Sequence, residues 1–263
     1  MKRTNEQFVS SDGISFYLRC LVPFHVKERN TPTVLLHPAG TCMPDDYSWI
    51  TNMLCRRGFL VYTLFQRGYG SGPPEENDRG GLQQQQDLRE AFQFVKQQPL
   101  VDPERIVCIG HSNGAHMIQR LAVLEDFACG VAMSQLSDWN THCRVSKEFI
   151  PDYYYNRALK WYNGSPEENP EEYLSRSCLH LADQIKMPIL AITGDRDNIT
   201  PPHWGRLMTE ALQRAGNTRS EFISVHKAGH FFENFGFYGD QRAEVAEIVA
   251  DWLDKILPQT ERK

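Results

Sequence analysis

Short runs of apolar and β-branched residues recur along the chain, each bounded by turn residues. They are Thr33-Val34-Leu35-Leu36, Leu60-Val61-Tyr62-Thr63-Leu64, Ile106-Val107-Cys108-Ile109, Val131-Ala132-Met133, Ile189-Leu190-Ala191-Ile192 and Phe222-Ile223-Ser224-Val225. Helical spacing fills the intervals. Residues 82–96 put Leu88, Phe92 and Val95 on one side, and residues 242–256 do the same with Val245, Ile248, Val249, Trp252 and Ile256. Continuous rather than alternating apolar runs belong to strands buried on both faces, and strand-helix alternation implies parallel strands joined by right-handed crossovers. Residues 7–22, with a turn at Ser11-Asp12-Gly13, read instead as an antiparallel hairpin at a sheet edge. The pattern predicts an α/β fold with a mostly parallel central sheet of about eight strands flanked by helices.

One stretch breaks the rhythm. Residues 137–186 contain no clear strand, crowd Phe149, Tyr153, Tyr154, Tyr155, Trp161 and Tyr162 together, and are punctuated by Pro151, Pro166 and Pro170. So long an interval inside a compact domain is usually a functional insertion with helices of its own. We expect a cap over the carboxyl ends of the strands, with residues 1–136 and 187–263 forming the core.

Composition narrows the function. The 263 residues carry a formal net charge of −5 and no Lys/Arg cluster, which argues against a nucleic-acid surface. The first residues lack the apolar stretch of a secretory signal, and no later apolar run is long enough to span a membrane. Seven cysteines, at 20, 42, 55, 108, 129, 143 and 178, include no C-x-x-C pair and fit reduced thiols. These features together predict a cytoplasmic chain without a membrane partner.

The chemistry starts at Gly110-His111-Ser112-Asn113-Gly114, which follows an apolar strand directly and opens a helical pattern at Ala115, Met117, Ile118, Leu121 and Leu124. Strand, sharp turn and helix are the context in which a G-x-S-x-G serine is raised as a nucleophile. A serine hydroxyl is weak without a base, so a histidine and an orienting carboxylate must follow. After the strand at 189–192 come Asp195 and Asp197. The spacing Gly194-x-x-Asp197-x-x-x-Pro201 favours Asp197 as the acid and leaves Asp195 a turn or capping role.

Beyond the strand at 222–225, Lys227-Ala228-Gly229-His230 puts His230 at the base position, between the last strand and the last helix. His226 lies four residues before it, but Gly229 intervenes and the segment leaves a strand, so a metal-ligand pair is disfavoured and no metal or other cofactor is implied. His37-Pro38-Ala39-Gly40 leaves the third strand where an oxyanion amide is supplied. Ala39 is preferred as donor, Gly40 comes next, and Asn113 after the nucleophile provides the second. Cys42 nearby lacks the elbow context of a nucleophile.

With these residues assembled, the chain resembles the α/β-hydrolase superfamily, and within it the prolyl-oligopeptidase-like and acyl-peptidase-like serine hydrolases. The likeness is carried by Gln66-Arg67-Gly68-Tyr69-Gly70-Ser71-Gly72, by Gly164-Ser165-Pro166 with Asn169-Pro170-Glu171-Glu172-Tyr173, and by Asp197 to Pro202. The resemblance implies an α/β-hydrolase fold and an acyl-enzyme on Ser112. Peptidases of that group carry a propeller before the catalytic domain, whereas about thirty residues precede the first parallel strand here. That difference turns the expectation toward a carboxylic ester and a small-molecule acyl substrate, with Tyr153, Tyr154, Tyr155 and Trp161 as an apolar wall for its acyl or alcohol group. A peptidase or acyl-aminoacyl hydrolase, a thioesterase or acyltransferase, and a non-catalytic binding protein are the competing readings.

Overall fold

The computed structural model describes residues 1–26, 30–149, 155–233 and 240–257. Eight strands form one sheet: β1 (Lys2–Val9), β2 (Ser15–Val22), β3 (Thr31–His37), β4 (Leu60–Leu64), β5 (Val101–His111), β6 (Cys129–Met133), β7 (Ile189–Gly194) and β8 (Glu221–Val225). Their order across the sheet is β1-β2-β4-β3-β5-β6-β7-β8. The β1–β2 and β2–β4 pairs are antiparallel, and every other pair is parallel. The chain therefore steps one way from β3 to β4 and the other way from β5 onward. The gap between the carboxyl ends of β3 and β5 is a switch point, where open α/β sheets leave a crevice for ligands.

Eight α-helices accompany the strands among the described residues: α1 (Ser48–Arg56), α2 (Leu82–Lys96), α3 (Asn113–Leu124), α4 (Trp139–Phe149), α5 (Asn156–Trp161), α6 (Pro170–Leu174), α7 (His203–Arg214) and α8 (Arg242–Ile256). Because side chains alternate across a strand, each parallel strand feeds two cores. Leu35, Cys108 and Ile189 join Leu88 and Phe92 of α2, Ile118 of α3 and Met208 of α7. Val34, Leu36, Ile109 and Ile192 face the other way, onto Ile50 and Leu54 of α1 and Val249 and Leu253 of α8. The six apolar runs and the helices at 82–96 and 242–256 lie where the periodicity puts them.

The edge hairpin begins earlier than its apolar pattern suggests, since β1 starts at Lys2 and pairs along its whole length with β2. It is latched to the body by a buried ion pair. The Arg67 guanidinium meets Asp87 on α2 at 2.7 and 2.6 Å and also reaches Asp12 of the hairpin turn at 2.7 Å. Arg67 of the R-G-Y-G segment is thus a structural tie. A pair so buried helps mainly because both partners are fully engaged.

Between β6 and β7, the described residues hold α4, α5, α6 and a 3-10 turn at Leu179–Gln184, with no strand among them. Leu136, Trp139, Cys143, Ala158, Tyr162, Tyr173 and Trp204 make a small core of their own. The seven cysteines are free, all buried but the half-buried Cys42. No helix among the described residues is long and apolar enough to cross a membrane.

Candidate active site

Ser112 sits between β5 and α3 with φ 53° and ψ −111°, a left-handed backbone that a side-chain-bearing residue rarely adopts. The turn closes because its flanking glycines have no Cβ. A Cβ on Gly110 would lie 2.2 Å from the Gly114 carbonyl oxygen, and one on Gly114 would lie 2.3 Å from that of His37. The end of β3 and the start of α3 consequently touch through backbone.

Three side chains from separate strand ends meet over this turn. Ser112 Oγ is 2.9 Å from His230 Nε2, and His230 Nδ1 is 2.9 Å from Asp197 Oδ2. Asp197 is further held by the amides of Ile199 at 2.9 Å and Thr200 at 2.8 Å, and by the Thr200 hydroxyl at 2.9 Å. Burial pushes its carboxyl up, but the hydrogen bond and charge of His230 and the Thr200 donors outweigh that and hold it below the ordinary carboxylate range. An ionised carboxylate there fixes the imidazole with its proton on Nδ1 and a lone pair toward Ser112.

Asp195 and His226 turn elsewhere. The Asp195 carboxylate meets His226 Nδ1 at 2.8 Å and accepts from the Lys227 amide at 2.7 Å, so it organises the exposed turn after β8. Asp197, not Asp195, is joined to His230.

His111, beside the nucleophile, is fully buried, and burial with the nearby His230 charge lowers its pKa to about 3. It is therefore neutral, and its partners fix the tautomer. Nε2 faces the His230 carbonyl oxygen at 2.8 Å and must donate, leaving Nδ1 to accept from the Tyr47 hydroxyl at 2.7 Å. The Tyr47 oxygen in turn accepts from the Ala39 amide at 2.8 Å. One directed chain thus runs Ala39, Tyr47, His111, His230, and Ser134 Oγ adds a second donor to the same carbonyl at 2.8 Å.

This corrects the expectation for Ala39. Its amide is already committed to a buried hydroxyl, whereas the amides of Gly40 and Asn113, which border the same pocket, carry no hydrogen bond among the described residues. Tyr47 lies ten residues beyond β3 on a turn whose sequence gave no hint of the contact.

The pocket over Ser112 has a volume of about 460 Å³. Trp161 lines it, as expected; Tyr155 instead packs against the small core around Trp139. Tyr153 and Tyr154 lie outside the described residues. The reading of the sequence missed Tyr69, Arg79, Trp139, Arg157, Tyr162 and Phe231, all of which border the pocket. Two of these had a signal: Tyr69 stands in the R-G-Y-G segment, and Tyr162 in the aromatic stretch expected to form the cap.

A mostly parallel sheet with the serine on a strained turn after β5, and the acid and base after β7 and β8, defines an α/β-hydrolase. The chain belongs to the prolyl oligopeptidase family, whose sequence model matches residues 45–260. Among its relatives is the uncharacterized peptidase YuxL of Bacillus subtilis, 23% identical over an alignment of 262 residues that covers 95% of this chain and 38% of YuxL. The uncharacterized peptidase YtmA of the same organism is 26% identical over 159 residues, 60% of either chain. Acylaminoacyl peptidase of Pyrococcus horikoshii shares the fold with a TM-score of 0.78 at 19% identity, over 100% of this chain and 43% of that one. The chain thus spans less than two thirds of the relatives it matches. Their names are those of peptidases, where the sequence reading had turned toward esters.

Proposed function

We propose that this chain is a serine hydrolase that forms an acyl-enzyme on Ser112, and that short peptide or blocked aminoacyl amides are its substrate class. The observation that carries the first part is the unbroken line from Ser112 Oγ through His230 to Asp197, with both contacts at 2.9 Å. Such a line does one thing well. His230 Nε2 takes the hydroxyl proton as Oγ attacks an acyl carbonyl, and the imidazolium is stabilised by Asp197. The amides of Asn113 and Gly40 receive the oxyanion. His230 then returns the proton to the leaving nitrogen or oxygen, and water repeats the sequence to release the acid. We further propose that residues 137–186 act as a cap, since Trp139, Arg157, Trp161 and Tyr162 from this stretch wall the pocket.

Esters enter the same mechanism more easily, because an alkoxide leaves more readily than an amine. The amide reading is supported by the family and by the peptidase names of its relatives. Ser112→Ala should abolish labelling by a fluorophosphonate and lower turnover by about 10⁶-fold, the usual cost of removing a triad nucleophile. A panel of acyl-aminoacyl para-nitroanilides against para-nitrophenyl esters decides the bond. Turnover of esters with none of any anilide returns the chain to the carboxylesterase reading, and labelling that survives in the variant refutes Ser112.

A further inference from the structure

We propose that the pocket beside Ser112 selects an acyl group bearing a carboxylate, with Arg79 as the residue that holds it; this rests on the hydrolase reading of the site. Although the chain is net negative, Arg79 borders this pocket, and no aspartate or glutamate does so among the described residues. A cationic pocket with aromatic walls concentrates field lines and favours anionic ligands.

Arg79 is fixed in place for that role. Its backbone adopts a left-handed φ of 57°, and its carbonyl oxygen accepts from Arg176 Nε at 3.3 Å. The guanidinium lies over the Trp161 ring, 4.9 Å from the centroid, and touches the Tyr69 hydroxyl at 3.4 Å. Stacking on one face leaves the in-plane donors of a guanidinium open to a bidentate carboxylate. No carboxylate pairs with it among the described residues, in contrast to Arg67 and Arg176. Tyr162 also borders the pocket.

The acyl side follows from the chemistry. A leaving group must lie toward His230, which protonates it, and so toward Phe231. Arg79 lies on the α3 side of the nucleophile: its neighbour Gly80 packs so closely on the Asn113 side chain that a Cβ there would sit 2.3 Å from Oδ1. Trp139 stands against His116, one turn further along α3, on that same flank.

The test compares N-acetyl-glutamyl and N-acetyl-glutaminyl para-nitroanilide, which differ in charge but hardly in shape. With the full chain, kcat/KM should favour the glutamyl substrate by about 10- to 100-fold, the worth of one charge-assisted hydrogen bond. Arg79→Gln should bring that ratio close to one, while Arg79→Lys should keep part of it. Binding of the same two compounds to the Ser112→Ala chain, by calorimetry, reads the pocket without turnover and should show the same preference. Equal affinity there, or a ratio near one in the unaltered chain, overturns the proposal. Preferential binding with no turnover of either compound upholds the anion pocket and refutes the amide-substrate reading instead.

Discussion

Asp195 and Asp197 stand two residues apart after the same strand, yet only Asp197 is buried against His230, while Asp195 caps an exposed turn. Asp197→Asn should therefore lower kcat by about 10⁴-fold, because an amide stabilises the wrong imidazole tautomer. Asp195→Asn should cost far less, and steady-state kinetics on the two variants give the ranking. At this scale Ser112, Asp197 and His230 were legible because each sits in a local signature at a strand end. Arg79, Trp139 and Tyr162 were not. Their neighbourhood is made by segments far apart in sequence, and the aromatic crowding around Tyr162 pointed to a cap without saying which rings face the pocket.

Elements meet in the site through backbone, and one close meeting is between β3 and α3. A methyl group at Gly114 would stand 2.3 Å from the His37 carbonyl oxygen, so Gly114→Ala must move the helix or the oxyanion loop. We expect a loss of about 1–3 kcal/mol in urea unfolding, as for other overpacked contacts, with a larger fractional loss of turnover than of stability. A variant with unaltered midpoint and unaltered kcat would show that the elbow tolerates the methyl. The parallel strands announced themselves because burial on both faces demands continuous apolar runs. The polar first half of β1 did not, since its backbone pairing with β2, not side-chain burial, makes it a strand.

At the scale of the whole molecule, four histidines besides His230 are buried neutral among the described residues. Burial lowers His37 and His142 to about 4, and His111 and His116 to about 3, from an ordinary value of 6.5. Between pH 6.5 and 4 the unfolded chain binds these protons and the folded one does not, so stability falls as pH is lowered through that window. Each group adds a slope of up to about 1.4 kcal/mol per pH unit. Thermal melts should drop from pH 6.5 to 4 as these histidines take up protons on unfolding, an uptake that the raised carboxyl of Asp87 partly offsets; a flat Tm across that range would contradict the buried neutral state. His111 matters twice, because the chain from Ala39 through Tyr47 to the His230 carbonyl admits one proton order only. The loop after β3, which holds Ala39, and the loop that carries His230 are thereby geared to each other. Damage along this line should show itself as a smaller fraction of competent molecules, each turning over at its normal speed, and active-site titration rather than bulk rate is the quantity that would reveal it.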